Sequence, residues 1–262
     1  MIVLDGINAK KFKTMFSYIP EKAFPSILLI AKRVGDDVLL KFSDININQS
    51  LVVNIETTMT GLDLTGFEDM SCRIPLSKNV KNVIKKFDIF GIDQTVLEGG
   101  SNNRKVRLAT HVNSDEEIEF PNTASEMLTY AKEMNEIDEV LEAKFTLTKD
   151  IIKDLEDCVG VLDISKDSEL VFVLGVGKKS QCIAVTSKDT VGNNFRYDIP
   201  NIETNDTFKA KYDRDFLYVL KAVKDSKVDG FFCTVSNIMC GVSFEDDDIK
   251  VMLAVTIFDK IG

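Results

Sequence analysis

The chain has 262 residues, 44% hydrophobic and 28% charged, with 42 acidic residues against 32 basic ones and a net charge of −10. That balance belongs to a globular protein with ample core, long enough for one large or two ordinary domains. No apolar run approaches the roughly 18–20 residues of a membrane-crossing helix, and the chain does not open on a basic segment followed by an apolar one, so a cytoplasmic protein is expected.

In chain order, a short strand at 2–4 precedes a helix over 8–19, where Phe12, Met15, Phe16 and Ile19 fall on one face with Lys10 and Lys13 roughly opposite. Asn8 is its expected cap and Pro20 its stop. Strands follow over 26–32, 38–43, 50–57 and 67–75, with a hairpin turn at Gly35, Asp36 and Asp37. The stretch 77–87 then makes two opposite statements. Val80, Val83, Ile84 and Phe87 share one helical face, Lys78, Lys81 and Lys85 project from the other, no acidic residue interrupts them, and Ser77 stands at the cap position. A single such row is usually a solvated face; recurrence is what gives it weight. Strands over 94–98, 105–112 and 116–120 complete the first half, with a glycine- and asparagine-rich turn at 99–103.

The acidic stretch 121–142 reads as a connector with a short helix at 125–134. After it, a strand at 143–147 leads into a helix over 148–158. There Ile151, Leu155 and Cys158 keep an inward register, Asp154 occupies the remaining apolar slot, and Lys149 and Lys153 share the outer surface with Glu156. Strands over 159–164, 170–174, 181–186, 195–199 and 207–211 precede a helix over 213–225 with Phe216, Val219, Leu220 and Val223 inward and Arg214 and Lys221 outward. Strands over 230–236, 239–244 and 250–258 end the chain. The helix starts near 8 and 77 are matched about 140 residues later by starts near 148 and 213, the mark of a duplicated fold. The expected class is α+β, with domains at 1–121 and 143–262 joined by a connector at 122–142.

Chemistry other than binding finds little support. Gly175 to Ser180 suggests a phosphate loop, but Phe172 stands where the motif needs glycine and the run joins two strands. Glu245, Asp246, Asp247 and Asp248 sit where two strands must reverse, without further ligands at calcium-loop spacing. His111, the sole histidine, lies in a strand pattern and leaves no histidine-based triad or zinc site to build. The cysteines, Cys72, Cys158, Cys182, Cys233 and Cys240, form no C-x-x-C pair and read as free thiols in a reducing compartment. No enzyme, cofactor or metal is expected.

Two similar domains, each with two helices and a set of antiparallel strands, joined by an acidic connector, resemble the DNA sliding clamps, the ring-shaped polymerase processivity factors of eukaryotes, archaea and phages. Locally, FSDININQSLVV at 42–53 is similar to the family's strand, loop and Ser-Leu-Val resumption, and FKAKYDRDFLYVLKAV at 208–223 to its entry into the last helix. The chain stops almost directly after its last strand, which sets it nearer the phage or viral members, acting in a host cytoplasm. The resemblance implies a homotrimeric ring around double-stranded DNA, with the polymerase and clamp loader bound through short peptides.

On that reading Lys10, Lys13, Lys78, Lys81, Lys85, Lys149, Lys153, Arg214 and Lys221 face the hole, where mobile ammonium groups hold phosphates without reading sequence. The net negative charge is no obstacle if acidic loops face outward. Partner peptides are expected against Ile45, Ile47, Ile137, Ile257 and Phe258, and subunits against one another along 116–120 and 181–186, at Ile118, Phe120, Ile183 and Val185. The alternatives are a clamp-fold subunit working as a monomer or in a mixed ring and, in a different class, an enzyme or ligand binder on a duplicated α+β fold.

Overall fold

The structure, a computed structural model, describes the backbone of residues 2–48, 50–96, 104–109, 117–121, 143–161, 169–177, 180–188, 194–200, 203–204, 209–212, 215–224, 226, 228, 230–235 and 239–259. Side chains are described over 2–48, 50–92, 146–157, 196–199, 215–224, 226, 228 and 240–255. The turn at 99–103, His111, the connector 122–142 and its expected helix lie outside the described residues.

The first half runs β1 (Ile2–Leu4), α1 (Gly6–Ser17), β2 (Ser26–Val34), β3 (Asp37–Ile45), β4 (Leu51–Met59), β5 (Met70–Pro75), α2 (Lys78–Lys86), β6 (Phe90–Val96), β7 (Arg104–Ala109) and β8 (Glu117–Pro121). The second runs β9 (Ala143–Thr148), α3 (Lys149–Val161), β10 (Glu169–Gly177), β11 (Ser180–Lys188), β12 (Asn194–Pro200), β13 (Glu203–Thr204), β14 (Lys209–Tyr212), α4 (Phe216–Lys224), β15 (Gly230–Val235), β16 (Met239–Asp246) and β17 (Ile249–Asp259). In the first half the strand orders are β1-β6-β7-β8 and β5-β2-β3-β4; in the second the corresponding strands repeat them as β9-β15-β16-β17 and β14-β10-β11-β12, two runs of one continuous path joined where β14 pairs with β17, with β13 added beside β9. Every register given for these ladders is antiparallel. The duplication is therefore one of topology as well as of element order. By compactness the chain divides into one unit of Met1–Asp44, Asn54–Ala131 and Asp247–Lys250 and another of Ile45–Val53, Lys132–Asp246 and Val251–Gly262.

The core of the first unit gathers where α1 lies on its sheets. Phe12 is fully buried, with its ring centroid 5.8 Å from that of Phe42, 5.3 Å from Phe90 and 6.5 Å from Phe16. Tilted pairs at this spacing add to the roughly 1.5–3 kcal/mol that burial of each such side chain contributes. In the second unit Ile152 and Leu155 of α3 are buried, as are Phe216, Val219, Leu220 and Val223 of α4.

Several expectations are corrected. Residues 159–161 continue α3 as helix and do not begin a strand. The inward register of α3 starts from Ile152, not Ile151, which is half-buried, and so Asp154 is exposed and fills no apolar slot. Asn8 lies inside α1, buried, its amide donating to the Thr60 carbonyl at 2.9 Å; Asp5 holds the cap position without a side-chain bond. The strand expected at 94–98 begins at Phe90, because Leu4, Val3 and Ile2 pair with Phe90, Gly91 and Ile92. Pro121 belongs to β8, which places a residue lacking an N–H in a strand with one neighbour among the described residues. Most consequential, β11 is paired by β10 on one side and β12 on the other, so the stretch 181–186 has no free edge for another subunit. Among the described residues the strands paired on one side only include β8 and β12.

The turns follow their chemistry. Gly35, between Val34 and Asp37, has φ +67°, which glycine adopts without steric cost. Asp247 and Asp248, between β16 and β17, have φ of 45° and 68°, the left-handed pair of a tight hairpin turn. The Gly175–Ser180 run lies on the paired ends of β10 and β11, with Gly177 opposite Ser180, and opens no helix.

Candidate nucleic-acid interface

α2 is the best-defined cationic element. Ser77 caps it, its hydroxyl accepting from the Val80 N–H at 3.4 Å, and Val80 and Ile84 are buried while Val83 and Phe87 are half-buried. With that face buried, Lys78 and Lys85 are exposed and have no salt-bridge partner among the described residues. Lys86, in the last turn, is exposed as well, a cation the sequence reading passed over. Lys81 is half-buried and ion-paired with Glu21.

α1 presents Lys10, exposed, and Lys13, whose side chain is only 25% exposed. The Lys13 ammonium donates to Asp88 at 2.6 Å and stands 6.0 Å from the Phe90 ring centroid. That hydrogen bond and charge, with a smaller push from Lys10, hold the Asp88 carboxyl below its ordinary range. The two ion pairs also orient the helices. Asp88 follows the end of α2 and reaches the middle of α1, while Glu21 follows the end of α1 and reaches the middle of α2, so the helices run antiparallel with their lysines on neighbouring surfaces. Lys11, not singled out in the sequence, is turned aside: its ammonium bonds the Thr58 carbonyl and Asp248, each at 3.3 Å.

In the second unit, α3 is capped by Thr148, whose hydroxyl accepts from the Ile151 N–H at 3.3 Å. Lys153 is exposed without a salt-bridge partner among the described residues, whereas Lys149 is half-buried. Lys224 of α4 donates to Glu156 of α3 at 2.5 Å, tying the helix pair together, and Lys221 is exposed and unpaired among the described residues. Arg214 lies outside the described residues.

The segment 45–53 is held by a buried polar cluster. Asp215, at the start of α4, accepts from the Asn46 amide at 2.9 Å and from the Ser50 hydroxyl at 2.5 Å, while the Asn46 carbonyl oxygen accepts from the N–H groups of Ser50 and Leu51 at 2.9 and 3.0 Å. Ile45 packs with Met252 against Val52 and Ala254, and Ile47 is left 76% exposed at the tip. Of the other expected pocket residues, Ile257 and Phe258 lie near the end of β17, past Val255, where only the backbone is described, and Ile137 lies outside the described residues. Ile118 and Phe120 are on β8 and Ile183 and Val185 on the interior strand β11. Sequence reading took the apolar residues of 45–53 and missed Asn46, Ser50 and Asp215; an aspartate directly before an apolar helical run and an asparagine four positions before a serine were the available signals.

No group of three or more histidine, cysteine, aspartate or glutamate side chains among the described residues is placed to hold a metal ion. Cys72 and Cys240 are free and buried, and burial pushes the Cys72 thiol up to about 12. No helix among the described residues is long and apolar enough to cross a membrane.

No protein-family model matches the sequence, and no curated protein matches it. Solved structures do. The proliferating cellular nuclear antigen of Entamoeba histolytica superposes with a TM-score of 0.61 at 10% identity, over 98% of this chain and 99% of that one. The DNA polymerase III beta subunit of Thermotoga maritima superposes with a TM-score of 0.69 at 13% identity, over 100% of this chain and 66% of that one. The chain has the sliding-clamp fold: an α+β architecture of antiparallel sheets with few helices, shared with these two proteins over 98% and 100% of its length.

Proposed function

We propose that the chain is a non-enzymatic DNA sliding clamp, a subunit of a ring that encircles duplex DNA and tethers the replicative polymerase to it. The observation that carries this reading is the clamp fold with exposed lysines, unpaired among the described residues, on α1 and α2 in the first unit and on α3 and α4 in the second. Lys10, Lys78, Lys85, Lys153 and Lys221 are the principal phosphate contacts, Lys13, Lys81, Lys149 and Arg214 lesser ones, and none reads bases, since ammonium groups on helix faces grip the backbone electrostatically.

Ring closure rests on strand edges. β8 and β12 lie in opposite halves and each is paired on one side only among the described residues, so β8 of one subunit adds to β12 of the next, head to tail, bringing Ile118 and Phe120 to the seam. This replaces the expected seam at Ile183 and Val185. Three copies close the ring. Polymerase and loader dock short peptides near Ile45, Ile47, Ile257 and Phe258, where Ile47 offers apolar surface that a partner would cover.

Light scattering at micromolar concentration tests the assembly: a trimer is expected, and charged substitutions at Ile118 and Phe120 should yield a folded monomer. A parent protein that is monomeric at that concentration would overturn the ring.

A further inference from the structure

Two carboxylates are set into the cationic surface of α1 and α2, and their placement is selective. Asp88, 88% exposed, holds Lys13, and Glu21, also exposed, holds Lys81. Lys10, Lys78 and Lys85 on the same two helices have no such partner among the described residues. Each helix thus has one lysine near its middle neutralised by the chain just beyond the end of the other. Stability gives little reason for the arrangement, because ion pairs with an exposed partner contribute little to folding. The field at this surface gives a better one, since Asp88 feels both Lys13 and Lys10.

We infer that Asp88 and Glu21 are internal counterions of this surface, occupying Lys13 and Lys81 so that these two lysines add nothing to the net ion release when duplex DNA is bound. The inference rests on the proposed DNA-binding reading. If Lys13 stays with Asp88, it neutralises no phosphate. If it swings to a phosphate, the freed carboxylate takes up a cation from solution as the DNA gives one up. In both cases the grip is weaker and less salt-sensitive than the number of lysines would suggest, which suits a protein that must move along its partner.

The test is fluorescence anisotropy of a short labelled duplex of arbitrary sequence with the full-length protein across a salt series. The Asp88→Asn, Glu21→Gln double variant should steepen the salt slope by about 1.8, the release of two further ions, so that the loss of affinity between about 50 and 200 mM salt is about 12-fold greater than for the parent. Glu56→Gln is the control, because Glu56 pairs with Lys41 at 3.5 Å on the strands β3 and β4; the same change of charge there should leave the slope unaltered. A double variant with the parent's slope, or a control that steepens it equally per charge removed, overturns the inference. Lys78→Ala with Lys85→Ala separates the two claims: if that variant flattens the slope while the carboxylate variant changes nothing, DNA binding stands and the counterion role falls; if it too changes nothing, both fall.

Discussion

The helix pairs α1/α2 and α3/α4 occupy equivalent places in a duplicated topology and differ in how their charges are handled. Both pairs bury apolar stripes: Phe12, Met15, Val80 and Ile84 in the first, Ile152, Leu155, Phe216, Val219, Leu220 and Val223 in the second. On the outer side, α1 and α2 carry no acidic residue of their own, and carboxylates reach them from the ends of the chain segments, whereas α3 carries Asp150, Asp154, Glu156 and Asp157 among its lysines. The fold constrains the buried stripe tightly and the surface hardly at all, so similarity of topology coexists with very different electrostatic surfaces.

The largest way to break this comparison is through the cores. Phe12→Ala should cost about 3–5 kcal/mol and Ile152→Ala about 2–5 kcal/mol, read from denaturant unfolding, since both side chains are fully buried. If either costs under about 1 kcal/mol, that helix does not rest on its sheet through the face described.

Next in size is Asp215→Ala, which leaves the Asn46 amide and Ser50 hydroxyl without their shared acceptor; about 1–3 kcal/mol should be lost for a buried unsatisfied group. Hydrogen exchange should quicken at the amides of Ser50 and Leu51, which depend on a correctly held Asn46. Unchanged exchange there would mean that 45–53 is held by its apolar contacts.

Caps sharpen the comparison further. Ser77→Ala and Thr148→Ala should each destabilise by about 1 kcal/mol, as both hydroxyls accept a helix N–H. Asp5→Ala should cost less in melting experiments, because the Asp5 side chain makes no cap bond. Equal losses at all three positions would contradict the assigned caps.

Smallest is the acid limb of the stability curve. Because the folded protein holds Asp88 below its ordinary value of 3.8, the stabilisation is present above pH 3.8 and is lost as pH falls through the depressed value. The group is exposed, so Asp88→Asn should leave stability near neutral pH unchanged and shift the acid transition only slightly; a large loss at pH 7 would make the Lys13 pair structural.

How much of this was legible depended on sequence distance. The inward faces of α1, α2 and α4 could be read because a repeat of 3.6 residues exposes them within a dozen positions. α3 misled because Ile151 and Ile152 are adjacent and a short window fits either register; only the burial of Ile152 decides between them. The pairing of Lys13 with Asp88 and of Lys81 with Glu21 joins residues at least 60 positions apart, and Ser50 meets Asp215 across 165 positions, so none of these pairings had a local signal, even though Asp215 and the Asn46–Ser50 spacing each had one. Strand edges were illegible for a different reason: β11 and β12 both read as strands, and which is interior depends on the sheet order alone.

The central claim, that the helix surfaces of both units face duplex DNA, is tested most directly by the salt dependence of binding to unrelated duplex sequences. With Lys78, Lys85, Lys153 and Lys221 all replaced by alanine, binding should weaken equally on every sequence and the slope should flatten by about 0.9 for each phosphate no longer neutralised, with the melting temperature unchanged. A fourfold variant that folds normally and keeps the parent's affinity and slope would contradict the account.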